Sequence, residues 1–255
     1  MRVLKAIGVI LVLLVTPAVL VKVYLVHPTA EDILARMAAA YQAARWYSDT
    51  TTIGSPILSE PASYEIAYER PYKLRVCFHG ILENQTIICD GLSLYRYLPG
   101  PNQYTISPAP DRVGPLLPEG QPMLTLALLS GELDLRGRAR YVRRAEVDGL
   151  KVYVVWLKRP GAGSKAGGPK LSELVLYVGA DDYLARKLET RLPVGDEIVA
   201  HALTHHRVST RPVPPEMFRF VPPEGARMVA RFERQQVKPS GAWPMFAPGM
   251  EGPAE

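Results

Sequence analysis

The chain has 255 residues, 47% of them hydrophobic and 22% charged, enough to bury a core as one large domain or two small ones and too apolar for a disordered tail. Thirty Lys and Arg against 25 Asp and Glu leave +5 with little clustering, so charge gives scant reason to expect nucleic acid as a partner. Its two cysteines, Cys77 and Cys89, are too few for a four-ligand zinc site and lack the two-residue spacing of redox motifs, while 24 prolines and 20 glycines point to short elements joined by turns.

Arg2 and Lys5 precede an uncharged apolar run over residues 6–20, and after Val21 and Lys22 the chain stays mostly apolar to Val26. Basic residues ahead of such a run mark residues 1–27 as a signal peptide or signal anchor, with everything after them outside the cytoplasm, in the periplasm or on the envelope exterior. No small-x-small cleavage site follows, and Lys22 can snorkel if residues 6–26 span a bilayer, which favours a retained tether to the cytoplasmic membrane. The domain proper is expected over 28–233, and a Pro- and Gly-rich disordered tail over 234–255.

Residues 29–48 predict one amphipathic helix, with Thr29 as N-cap, Glu31 and Asp32 in the first turn, and Ile33, Met37, Tyr41 and Ala44 at helical spacing. From Tyr64 the period switches to two. Tyr64, Ile66 and Tyr68 alternate with mostly polar neighbours, and Leu74, Val76 and Phe78 alternate with Arg75, Cys77 and His79. The pattern recurs over 86–89, 92–98, 140–146, 150–157, 171–178, 183–188 and 198–209, with Asp90-Gly91 and Asp148-Gly149 as turns. At least eight strands joined mostly by hairpins predict an α+β fold dominated by an antiparallel sheet long enough to curl. Residues 115–132 interrupt the strands, and their apolar run 123–129 predicts a short helix that something must cover.

Candidate chemistry is sparse. His201 and His205 would share a helix face, but in a strand they lie about 13 Å apart and His206 points the other way, so no metal site is expected. The basic Gly-rich loop 158–170 fails as a phosphate cradle because Pro169, not Lys then Ser or Thr, follows its last glycine. No nucleophile, base and orienting group stand at motif spacing, so neither an enzyme nor a cofactor is expected. Arg136, Arg138, Arg140, Arg143 and Arg144 make either a rim for anionic headgroups or a solvated sheet face. Cys77 and Cys89 flank the turn 80–84. One register lets them bridge in an oxidising compartment, and the register one residue away puts them on opposite faces.

Three pieces occur in order: Arg70-Pro71 leading into Leu74, Val76 and Phe78; Asp90-Gly91 followed by Leu94, Tyr95, Tyr97 and Pro99; and Gln103. In these the chain resembles the periplasmic lipoprotein-carrier superfamily of LolA, LolB and RseB. The stretches Val147-Asp148-Gly149, 176–188 and 218–226 resemble its uncharacterised secreted branch, so the likeness covers roughly residues 29–229. Gly179, Ala185 and the long loop 158–170 depart from the pattern in one hairpin.

The resemblance implies a half-open curved β-barrel, closed by the N-terminal helix and short lid helices over an apolar cavity for the acyl chains of a lipid or lipoprotein. By pattern the lining would be Tyr64, Ile66, Tyr68, Leu74, Val76, Phe78, Val152, Val154, Trp156, Leu174 and Leu176, with Met123, Leu126 and Leu129 from the lid. By motif position Arg70 would be the lid latch. The expected function is extracytoplasmic binding of a hydrophobic or acylated ligand as carrier or sensor. The rival expectation is an RseB-like regulatory or envelope protein-interaction module.

Overall fold

A computed structural model describes residues 28–56, 60, 62–111, 124–131, 138–158, 173–194 and 197–232. The predicted leader 1–27, the predicted tail 234–255 and Met123 lie outside the described residues, and among these residues no helix is long and apolar enough to cross a membrane.

Thr29 opens the first helix, α1 (Ala30–Ala43). Its hydroxyl accepts from the Asp32 amide at 3.1 Å, and the Asp32 carboxylate accepts from the Thr29 amide at 3.2 Å. This reciprocal cap satisfies donors that a helix start leaves open, and the Thr29 bonds hold the Asp32 carboxyl below its usual pKa. Ile33, Leu34, Met37 and Tyr41 fall on one buried face. Thr29→Ala is expected to cost about 1 kcal/mol, read as a lower urea midpoint at unchanged slope.

The helix stops at Ala43, short of the predicted end, because residues 46–54 form a strand that the alternation of the sequence does not reveal. The strands are β1 (Trp46–Gly54), β2 (Ala62–Glu69), β3 (Lys73–His79), β4 (Thr86–Cys89), β5 (Ser93–Leu98) and β6 (Gln103–Pro108). After the second helix, α2 (Leu124–Ser130), follow β7 (Arg138–Val147), β8 (Leu150–Lys158), β9 (Glu173–Gly179), β10 (Ala185–Val194), β11 (Glu197–Ser209) and β12 (Arg227–Met228).

Among the described residues these make one twelve-stranded sheet in the order β12-β6-β5-β4-β3-β2-β1-β11-β10-β9-β8-β7. Two antiparallel meanders, β1–β6 and β7–β11, join where β1 pairs with β11, Thr51 opposite His205. β12 adds parallel to β6. Because β7 and β12 stand at the two ends and do not pair with each other among the described residues, the sheet is open and not a closed barrel. Asp148 (φ 50°) and Gly149 (φ 78°) form the two-residue hairpin loop between β7 and β8, a conformation for which Asp-Gly is suited.

The two helices cover one face. Ile33, Met37 and Tyr41 of α1 and Leu126 and Leu129 of α2 join Tyr64, Ile66, Tyr68, Leu74, Val76, Phe78, Leu174 and Leu176 in one buried cluster. The other face is capped near β1–β3 by the segment that follows β11, where Val213 and Phe218 pack on Ala67 with Trp46 and Met217. Phe220 continues this cover, its ring 5.0 Å from Tyr95 and 5.2 Å from Tyr104.

Two expectations are corrected here. Val155 pairs with Leu176 and Leu157 with Leu174, so Tyr153, Val155 and Leu157 join the helix-covered cluster. Val152, Val154 and Trp156 lie on the opposite face. The run Val152-Tyr-Val-Val-Trp-Leu157 is apolar at every position, so alternation could not tell its two faces apart. The register also pairs Leu74 with Cys89 and Cys77 with Thr86, which puts the cysteines three positions apart on opposite faces as free thiols. Reductant is therefore expected to leave the melting temperature unchanged, and a fall would reveal a bridge. Burial raises the pKa of the Cys89 thiol, which further disfavours oxidation.

Candidate functional site

The candidate site is the inner face beneath α1 and α2. Of the expected lining, Tyr64, Ile66, Tyr68, Leu74, Val76, Phe78, Leu126, Leu129, Leu174 and Leu176 come together there. They do so as a packed interior: Leu74, Val76 and Leu176 have no exposure, and neither do Ile33 and Met37 of the helix above them. Where the resemblance implied an apolar cavity, the helices are seated directly on this face among the described residues.

Arg70 sits at the edge of that seat. Lying in the turn between β2 and β3, it donates from Nη2 to the Tyr41 and Leu129 carbonyls, each at 3.3 Å, and from Nε to the Ala44 carbonyl at 3.3 Å. These oxygens end α1 and α2, where helices leave carbonyls unpaired and their dipoles favour a cation. One arginine, itself exposed but with its guanidinium partly buried in these bonds, thus ties a strand end to the C-terminal ends of both helices.

A polar row, which no motif in the sequence announces, crosses the apolar lining. Asp49 and Thr51 on β1, His205 on β11 and Arg186 on β10 are all buried. His205 Nδ1 lies 2.8 Å from both Asp49 Oδ2 and Thr51 Oγ1, and the Tyr47 hydroxyl donates to the same Asp49 oxygen at 2.7 Å. Arg186 Nη2 donates to Asp182 Oδ2. Arg186 precedes Lys187, the partner of Thr204 on β11, at an irregularity of the β9–β10 ladder between Ala185 and Lys187. From α1, the Tyr41 hydroxyl accepts from the Ala185 amide at 3.2 Å.

Burial is the main force on these groups. It pushes the phenols of Tyr41, Tyr47 and Tyr64 well above their usual pKa, and it lowers that of His201, further along the inner face of β11, so that the neutral imidazole is favoured. His206 points outward to Thr52 Oγ1 at 3.1 Å and Asp148 at 3.3 Å, so the three histidines do not converge. The arginine run is divided in the same way. A bulge between Tyr141 and Arg143 puts Arg143 opposite Val154 on the outer face and Arg144 against the Tyr153 ring on the inner one.

On the outer face, a cleft of about 400 Å³ lies between Lys73, Asp90, Tyr95, Pro215, Phe218, Arg219 and Phe220. It is separated from the helix-covered interior by the sheet itself.

No family model matches the chain. An uncharacterized protein of Methanocaldococcus jannaschii is 24% identical over 203 residues, 79% of this chain, and the chain spans about half (54%) of that relative's length. Among solved structures, the chain is similar to an uncharacterized conserved protein from Thermus thermophilus, with 16% identity, 79% of this chain and 99% of that one covered, and a TM-score of 0.48. It is also similar to the LolA superfamily protein NE2245 from Nitrosomonas europaea, with 13% identity, 76% and 99% covered, and a TM-score of 0.34.

Proposed function

We propose that the inner face of the sheet binds the hydrocarbon part of a lipid or acylated protein outside the cytoplasm, as a carrier or sensor, by binding alone and without catalysis. The observation that carries this reading is a broad apolar face, crossed by one polar row, under two helices whose ends are held by one side chain, Arg70. Lifting the helices exposes that face, and an acyl chain restores its burial. A chain of about 16 carbons leaving a bilayer forfeits on the order of 12 kcal/mol, so only a large apolar surface can receive it. Residues 1–27, retained as a tether, would confine the exchange to one membrane.

Lipid extracted from the purified full chain and weighed by mass spectrometry tests this. About one acylated molecule per chain is expected, and a folded chain that carries none and takes up none from vesicles would refute it. A second reading, capture of a protein segment by a regulatory module, is favoured by the open edge of β7, which no further strand covers among the described residues. Stoichiometric co-purification of one envelope protein in place of lipid would select it.

A further inference from the structure

The polar row in the apolar interior is incompletely paired. Among the described residues His205 Nε2, Asp49 Oδ1, and Arg186 Nε and Nη1 have no hydrogen-bond partner, although the side chains of His205 and Asp49 have no exposure and that of Arg186 only 10%. Buried polar atoms are normally paired, and three adjacent strands presenting unused donors and acceptors in one apolar interior mark a site for a polar group.

The chemistry of the row narrows that group. Arg186 only donates, the Asp49 carboxylate only accepts, and the free Nε2 of His205 accepts or donates according to its protonation. A carboxylate or phosphate can only accept, and it would add negative charge beside Asp49 where Arg186 already serves Asp182. A bare hydrocarbon end can do neither. A hydroxyl both donates and accepts and carries no charge.

A hydroxyl of the protein itself lies near the row without pairing these atoms. Tyr41, an apolar ring ending in a hydroxyl, is wholly buried above the row, within electrostatic reach of both Asp49 and Arg186 and bonded to the Ala185 amide. Lifting α1 withdraws it. We infer that the interior recognises a hydroxylated amphiphile, a hydrocarbon chain bearing an alcohol function, whose hydroxyl is seated by Arg186, His205 and Asp49 when α1 opens. The inference rests on the proposed apolar binding and adds the polar end of the ligand to it.

Competition for a bound fluorescent apolar probe, such as N-phenylnaphthylamine, tests it with the full chain. Hexadecanol, its methyl ether and palmitate are titrated against wild type, Arg186→Met and the double variant Asp49→Leu/His205→Leu, which keeps the test open if one variant fails to fold. Hexadecanol is expected to bind wild type about tenfold more tightly than the ether, and in the variants the two should fall to about equal affinity with the ether unchanged. Equal affinity of alcohol and ether in wild type, or tightest binding of palmitate, would overturn the hydroxyl seat while leaving apolar binding intact. Failure of all three chains to displace the probe would overturn both.

Discussion

Replacing His205 by leucine is expected to cost about 3–5 kcal/mol of folding stability, well beyond the loss of a helix cap or a surface ion pair. The imidazole is the second of two partners of Asp49 Oδ2, and without it a wholly buried carboxyl keeps only the Tyr47 hydroxyl. Thr51 loses its bond as well. The cost comes from stranding a polar group rather than from the worth of the pair, so the double variant Asp49→Leu/His205→Leu is expected to be more stable than His205→Leu alone. Urea unfolding of the four proteins in the cycle gives the comparison. A single variant within about 1 kcal/mol of wild type would show that water reaches the row, contrary to its burial.

Arg70→Leu is expected to cost less, about 1–3 kcal/mol, because the arginine is exposed, with its guanidinium only partly buried, and its three bonds are long. Its larger effect is expected on the two helices. Freed carbonyls at the ends of α1 and α2 no longer hold the helices to the β2–β3 turn, so amide hydrogens of α1 should exchange faster than those of β2 and β3, and uptake of an apolar probe should quicken. Arg70→Lys is expected to restore little, since an ammonium cannot span the three carbonyls as a planar fork does. Unchanged exchange in α1 together with unchanged lipid loading would remove the latch role.

The alternating segments were legible wherever one face of a strand is apolar and the other polar. β2 and β3 meet that condition, and so does α1 with its Thr29 cap and spaced Ile33, Met37 and Tyr41. β1 does not. Its inward positions are Tyr47, Asp49, Thr51 and Ile53, so half of its buried face is polar and the hydrophobic period is lost. The same fact hid the polar row, because a strand whose buried residues bond to a distant strand carries that information only in the pairing of Thr51 with His205, 154 residues apart. On β8 the failure is the reverse: both faces are apolar, and parity is set by the partner strand. Arg70 was legible through its neighbour Pro71 and the strand after it, while its bond to Leu129 required knowing where α2 docks.

The pairing of β1 with β11 also sets when the domain can close. Strands within each meander find their neighbours across short turns, but β1 must wait until the chain has been made as far as residue 209. Until that seam forms, Asp49 and His205 belong to two separate half-sheets, each with a raw greasy flank. Because it joins residues 154 positions apart, this seam is expected to be a late step of folding, and it is the one that assembles the polar row.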